Sequence, residues 1–223
     1  MSFADDSGYY PEEHDDTPSS VSERDIDEES MDNLTGSSQA NNKGDVNEKG
    51  VTELMEAAKR NDVDAAERYI PQQIGMVAKL VKAGMVDING GTALMVAAVL
   101  GHTEVVRLLM RYENGMRSSN DLTALMWAAA NGRTEVVRLL LEVEGCMEKE
   151  RGFTALTAAS YFGRLECIKL LLEKEKNIGG ESALQMASTW NHSEVVSLLK
   201  SGGIGLTEPR LRMLPKKSTS GIA

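Results

Sequence analysis

Histidine, cysteine and aromatic side chains are all scarce in this chain, and each scarcity closes off a class of function. Three histidines in 223 residues (His14, His102, His192) are too scattered to form a metal-ligand set, so no metal or other cofactor is expected. Two cysteines, Cys146 and Cys167, cannot build a disulfide scaffold and have no CxxC spacing, which fits a reducing, cytoplasmic setting. No apolar run approaches the roughly 20 residues that cross a bilayer. The opening MSFADDSGYYPEEHDD has neither the basic start nor the apolar stretch of a secretory signal, so no membrane partner is expected. A formal net charge of −10 argues against nucleic acid as a partner.

That charge is unevenly placed. Residues 1–50 hold 14 acidic and 3 basic side chains, a net of −11, while the other 173 residues hold 20 and 21, a net of +1. The first segment is rich in Asp, Glu, Ser, Asn and Gly with isolated apolar residues, so it buries too little surface to offset the entropy of ordering it. The expectation is a disordered acidic arm over 1–50, a folded body over 51–201 and a flexible, weakly basic tail over 202–223.

The body repeats itself. TELMEAAKRN from Thr52, TALMVAAVLG from Thr92, TALMWAAANG from Thr123, TALTAASYFG from Thr154 and SALQMASTWN from Ser182 share one register, with starts 40, 31, 31 and 28 residues apart. Each copy precedes a second apolar block: VDAAERYI, TEVVRLLM, TEVVRLLL, LECIKLLL and SEVVSLLK. Self-similarity at this period is the mark of a solenoid. Each unit reads as two short helices, the first capped by the Thr or Ser hydroxyl and ended by Gly101, Gly132, Gly163 or by Asn61 and Asn191. Leu94, Ala97 and Ala98 at i, i+3 and i+4 give the first helix a buried stripe of small residues.

These copies resemble the ankyrin repeat, whose pattern runs D-x-x-G-x-T-P-L-H-x-A-A-x-x-G-H-x-E-V-V-x-L-L-L. Asp87-Ile88-Asn89-Gly90-Gly91-Thr92 matches the turn before the first helix, and Gly101-His102-Thr103-Glu104-Val105-Val106 matches the junction between helices. The methionine-rich form is similar to ankyrin arrays of diplomonad protists. The resemblance implies an all-α solenoid of about five helix-turn-helix units that binds another protein on its concave surface. Ala replaces the family's Pro at residues 93, 124, 155 and 183, and Met95, Met126, Thr157 and Gln185 replace its His. The shorter units imply trimmed hairpin tips. The nine extra residues after Pro71 predict an extra helical turn or two near Val77–Lys82.

No catalytic set stands out. Gly90-Gly91 and Gly202-Gly203-Ile204-Gly205 do not extend into a phosphate-binding loop pattern. His102 and His192 sit between helices, where a structural hydrogen bond is expected, and Cys167 falls on an apolar helix face. Glu104, Glu135, Glu166 and Glu194 recur once per unit at second-helix starts, where an acid suits the helix dipole. The chain reads as a non-enzyme.

Variable columns of the repeat point to the partner surface. Of the ten aromatics in the chain, five (Trp127, Phe153, Tyr161, Phe162, Trp190) occupy such columns, and Leu122 and Arg151 lie beside them. Trp and Tyr dominate binding hot spots, so these seven residues form the candidate protein-binding set; the alternative is that the rings merely cover neighbouring units. The resulting expectation is a scaffold or adaptor in which Trp127→Ala with Phe153→Ala abolishes binding and leaves the helices intact. A second reading is a regulatory inhibitor whose acidic arm mimics an anionic ligand, which deletion of residues 1–50 would discriminate. Ser2, Ser20 and Ser22 each have an acid three residues later, the context of an acidophilic kinase acting on Ser20 or Ser22, against a plain solubilising tail.

Overall fold

Threonine starts the first helix of each early pair, and it does so through its hydroxyl. In the computed structural model, which describes residues 46–205, the Oγ1 atoms of Thr52, Thr92 and Thr123 accept from the backbone N–H of Met55, Met95 and Met126 at 3.2, 3.4 and 3.4 Å. These caps open α1 (Glu53–Arg60), α3 (Ala93–Leu100) and α5 (Ala124–Ala130). Before α7 (Ala155–Tyr161) Thr154 and Thr157 form a capping box in which Thr157 Oγ1 accepts from the Thr154 N–H at 3.4 Å. The chain leaves the inner helices through left-handed residues at Asn61, Gly101, Gly132, Gly163 and Asn191. The acidic arm to residue 45, with Ser20 and Ser22, and the tail from residue 206 lie outside the described residues.

The returning helices are α2 (Val63–Gln73), α4 (Thr103–Glu113), α6 (Thr134–Glu144), α8 (Leu165–Thr189) and α9 (Ser193–Ser201). Two rows result. α1, α3, α5 and α7 pack one on the next, and α2, α4, α6 and α8 form a second row behind them. Leu54, Leu94, Leu125, Leu156 and Leu184 are buried at the same register position in each pair, flanked by buried alanines that let the backbones approach closely. Glu104, Glu135 and Glu166 stand in the first turns of the outer helices, each paired three residues on with Arg107, Arg138 or Lys169.

Two polar ladders tie neighbouring pairs together. The first uses the residue just before each outer helix: His102 contacts the Ala58 carbonyl at 2.8 Å, Arg133 Nε donates to Val99 at 2.8 Å, Arg164 Nε to Ala130 at 3.1 Å, and His192 contacts Tyr161 at 2.9 Å. The second is buried. Gln73, Glu113, Glu144 and Glu175, each at the far end of an outer-helix run, accept from the backbone N–H of Leu54, Leu94, Leu125 and Leu156 at 2.7–2.8 Å. The three glutamates also accept, through their other oxygen, from the chain just beyond the preceding outer helix: Gly75 at 3.0 Å, Gly115 at 2.9 Å and Cys146 at 3.2 Å. Burial holds these three carboxyls above the ordinary carboxylate range, while the N–H donors pull the other way.

Two expectations are overturned. The fold is not wholly α: residues Ala78–Ala83 (β1) and Val86–Gly91 (β2) pair antiparallel, with Ala83 opposite Val86. The predicted helical turn near Val77–Lys82 is therefore a strand. Gly84, at φ +63°, occupies the first place of the two-residue turn, the position that type II′ hairpins reserve for glycine. On β2, Asp87 and Asn89 are exposed while Val86 and Ile88 are buried, the two-residue period of a half-covered sheet, and on β1 buried Val81 and Ala83 flank exposed Lys82. The hairpin packs on α3, and its tip at Gly84 comes against Leu100 at the far end of that helix.

The second correction concerns Ser182, which caps no helix. It lies inside α8, a continuous helical run of 25 residues. Held straight, such a run would separate its ends by about 37 Å. Yet a Cβ on Gly163, before its start, would stand 3.0 Å from His192 Nδ1, beyond its end. α8 therefore folds back on itself, its first part serving as an outer helix and its last part continuing the inner row beside α7. The reversal comes where Gly179 meets Thr154, an approach so close that a Cβ there would strike the Thr154 side chain.

Candidate functional site

Positions two places after each buried leucine are Glu56, Val96, Trp127, Ala158 and Met186. In the three central pairs this column faces the neighbouring pair: Val96, Trp127 and Ala158 are all buried. Trp127 is only 3% exposed, so it is core and not the exposed anchor its column suggested. Where a large residue fills this column the row closes; Ala158 leaves space, and Ala130 on α5 leaves more. The result is an apolar pocket of about 180 Å³ lined by Asn120, Leu122, Met126, Trp127, Ala130, Phe153, Ala158, Tyr161 and Phe162.

Local backbone geometry places the rim. Leu122 ends a tight loop in which its carbonyl accepts from the Ser118 N–H at 3.0 Å and its N–H donates to Ser118 Oγ at 3.2 Å. Phe153 occupies the corresponding place one pair later, bridged to Lys149, whose N–H donates to the Phe153 carbonyl at 2.8 Å. Each residue immediately precedes a Thr that starts an inner helix, so the cap orients the rim. Tyr161 ends α7 and Phe162 follows it, their rings edge to face at 4.7 Å. Trp190, immediately after α8, lies 4.9 Å from the Tyr161 ring and is 46% exposed.

Five of the seven nominated residues (Leu122, Trp127, Phe153, Tyr161, Phe162) thus line one pocket, and Trp190 extends its aromatic rim. Trp127 forms the floor; Leu122, Phe153, Tyr161 and Phe162 are half-buried walls. Arg151 sits in a 3-10 turn over Glu150–Gly152, and its side chain lies outside the described residues. Sequence reasoning missed Met126, Ala130, Ala158 and Asn120. The two alanines had a signal, since each is the small member of a column filled elsewhere by Val, Trp, Met or Tyr.

Groups with chemical potential are occupied elsewhere. Both interhelical histidines contact carbonyls of the preceding pair. Cys167 is buried against Thr134, and burial pushes its thiol up, away from the thiolate that reactivity requires. Cys146 is exposed, its Sγ contacting the Lys174 carbonyl at 3.4 Å. Among the described residues no helix is long and apolar enough to cross a membrane.

Helix pairs stacked in two rows, joined by tight turns and carrying a lined hollow on the inner row, define a helical repeat protein of the solenoid class. A family model for ankyrin repeats (3 copies) matches residues 54–149 and again residues 142–208, and the chain belongs to the ankyrin-repeat family. No curated protein matches it. Ankyrin repeats are generally protein–protein interaction modules, typically without enzymatic activity.

Proposed function

We propose that this chain is a non-catalytic scaffold or adaptor whose array of five ankyrin units, starting near residues 52, 92, 123, 154 and 182, holds a partner protein through the pocket between α5 and α7. One observation carries the reading: Leu122, Phe153, Tyr161 and Phe162, drawn from two successive units, converge over Trp127 on a single hollow. Its volume of about 180 Å³ is close to the roughly 150 Å³ at which an apolar cavity accepts benzene, so one large apolar side chain of the partner fits. It is well below the range of small-molecule sites, roughly 300–1,000 Å³. The aromatic rim supplies rigid contact area at low entropic cost. Two free thiols, Cys146 and Cys167, support a cytoplasmic setting.

The test uses rim residues, because the floor is core. Phe162→Ala with Trp190→Ala should lower recovery of the partner at least tenfold in affinity purification, with the helical circular dichroism signal and melting curve retained. Trp127→Ala should instead destabilise the fold by about 3–5 kcal/mol, the cost of deleting a buried large aromatic. A rim double variant that folds and still recovers every partner of the natural chain would refute the pocket as the binding site.

A further inference from the structure

The outer edge of β2 carries unused backbone capacity beside the pocket. Residues on an antiparallel strand alternate between those bonded to the partner strand and those whose N–H and C=O point outward. The Asn89 carbonyl points outward, since it accepts from the Ser119 N–H at 2.8 Å across the gap to the loop before α5. Two residues nearer the tip, Asp87 has the same orientation, and its backbone bonds to nothing among the described residues. It pairs laterally with Lys82 on β1. Ser119 is thus the start of a third-strand contact that the described residues do not continue, and the next residue, Asn120, is already pocket wall.

The chain also shows how an extended segment lies on the inner row. The hairpin tip at Gly84 rests against Leu100 of α3. In the later units the column of Leu100 is held by Asn131, Phe162 and Trp190. Among the described residues no second hairpin lies on the corresponding surface of α5 and α7, which runs on from α3 to those two rings.

We infer that an extended peptide segment of the partner docks as a third strand on the outer edge of β2 at Asp87, and passes one large apolar side chain into the pocket over Trp127. This deepens the interaction-module reading and rests on it. Main-chain bonds to the edge give affinity without reading sequence, and the pocket gives selectivity, the division of labour in strand-addition complexes. The edge is open to this because β2 ends a two-stranded sheet.

A displayed library of random 12-residue peptides, selected on the full chain, supplies the probe, and the most enriched peptide is synthesised. Asp87→Pro removes the outward N–H without touching a hairpin bond, and Lys82→Pro makes the matching change on the opposite edge. The expected result is at least a tenfold loss of peptide affinity for Asp87→Pro and less than twofold for Lys82→Pro. If both proline variants weaken binding equally, N-methylation along the peptide decides: strand addition requires sensitivity at alternate residues, and uniform tolerance overturns it. Loss in Phe153→Ala with Phe162→Ala but not in Asp87→Pro overturns the edge contact and leaves the pocket standing. A library that yields no peptide dependent on either overturns both.

Discussion

At the scale of single residues, the buried ladder explains its own composition. Gln73 accepts from the Leu54 N–H, and among the described residues no pair precedes α1 and α2. Glu113, Glu144 and Glu175 each face two backbone N–H donors from different pairs and answer with two acceptor oxygens. An amide can satisfy the first arrangement but not the second. Glu144→Gln should therefore turn an NH₂ group toward either Leu125 or Gly115 and cost about 1–3 kcal/mol, a drop of several degrees in Tm for a chain of this size. The pH response follows from burial. The folded carboxyls sit above their unfolded value, so their contribution is fully present below the unfolded pKa and is lost as pH rises through the folded one. Arg117 acts on Glu144 as a nearby cation and opposes that shift. Melting curves should show the natural chain gaining stability as pH is lowered from neutrality toward the ordinary carboxylate range, and Glu144→Gln gaining less.

At the scale of elements, the helix pairs were legible in the sequence and two joints were not. Thr-x-Leu starts, alanine stripes and left-handed terminators each act within a turn or two of chain, which is why the register of α3 to α7 follows from the residues alone. VAKLVKAGMVDIN misleads because its apolar residues suit two periods. Val77, Leu80, Val81 and Gly84 mimic a helical stripe, while Ala78, Val81, Val86 and Ile88 make the strand faces that are buried. Only packing on α3 separates the two. KNIGGES misleads in the opposite sense, since a Gly-Gly pair reads as loop and here lies inside α8. The glycines are present for clearance from Thr154 and Ile204. Gly179→Ala should accordingly cost about 1–3 kcal/mol through overpacking, and should also quench the Tyr161–Trp190 contact, read as a change in tryptophan fluorescence. An alanine variant as stable as the natural chain would mean that α8 reverses elsewhere. The candidate site was half legible: its rings were found from variable columns, but the hollow itself is made by alanines, and an absence of volume is hard to read from letters.

Across the whole molecule, stability is shared between neighbours, so each pair depends on those it touches. The middle pairs have neighbours on both sides, whereas α9 buries only Val195 and Leu199. Amide exchange should be slowest in α3, α5 and α7 and fastest in α9, with intermediate rates in α1 and α2; uniform protection would contradict a chain of nearest-neighbour interfaces. The hairpin and the pocket divide the inner row between them, one covering α3 and the other opening over α5 and α7, so the proposed partner contact falls in the second half of the array. The doubled-back α8 has a further consequence for how such an array changes over generations. Wherever a loop separates two pairs, gene duplication can splice in another copy, because the seam belongs to neither neighbour. Between Glu175 and Ser182 no such seam exists: the last two pairs share one uninterrupted helical run, and they must be inherited, lost or copied as a block.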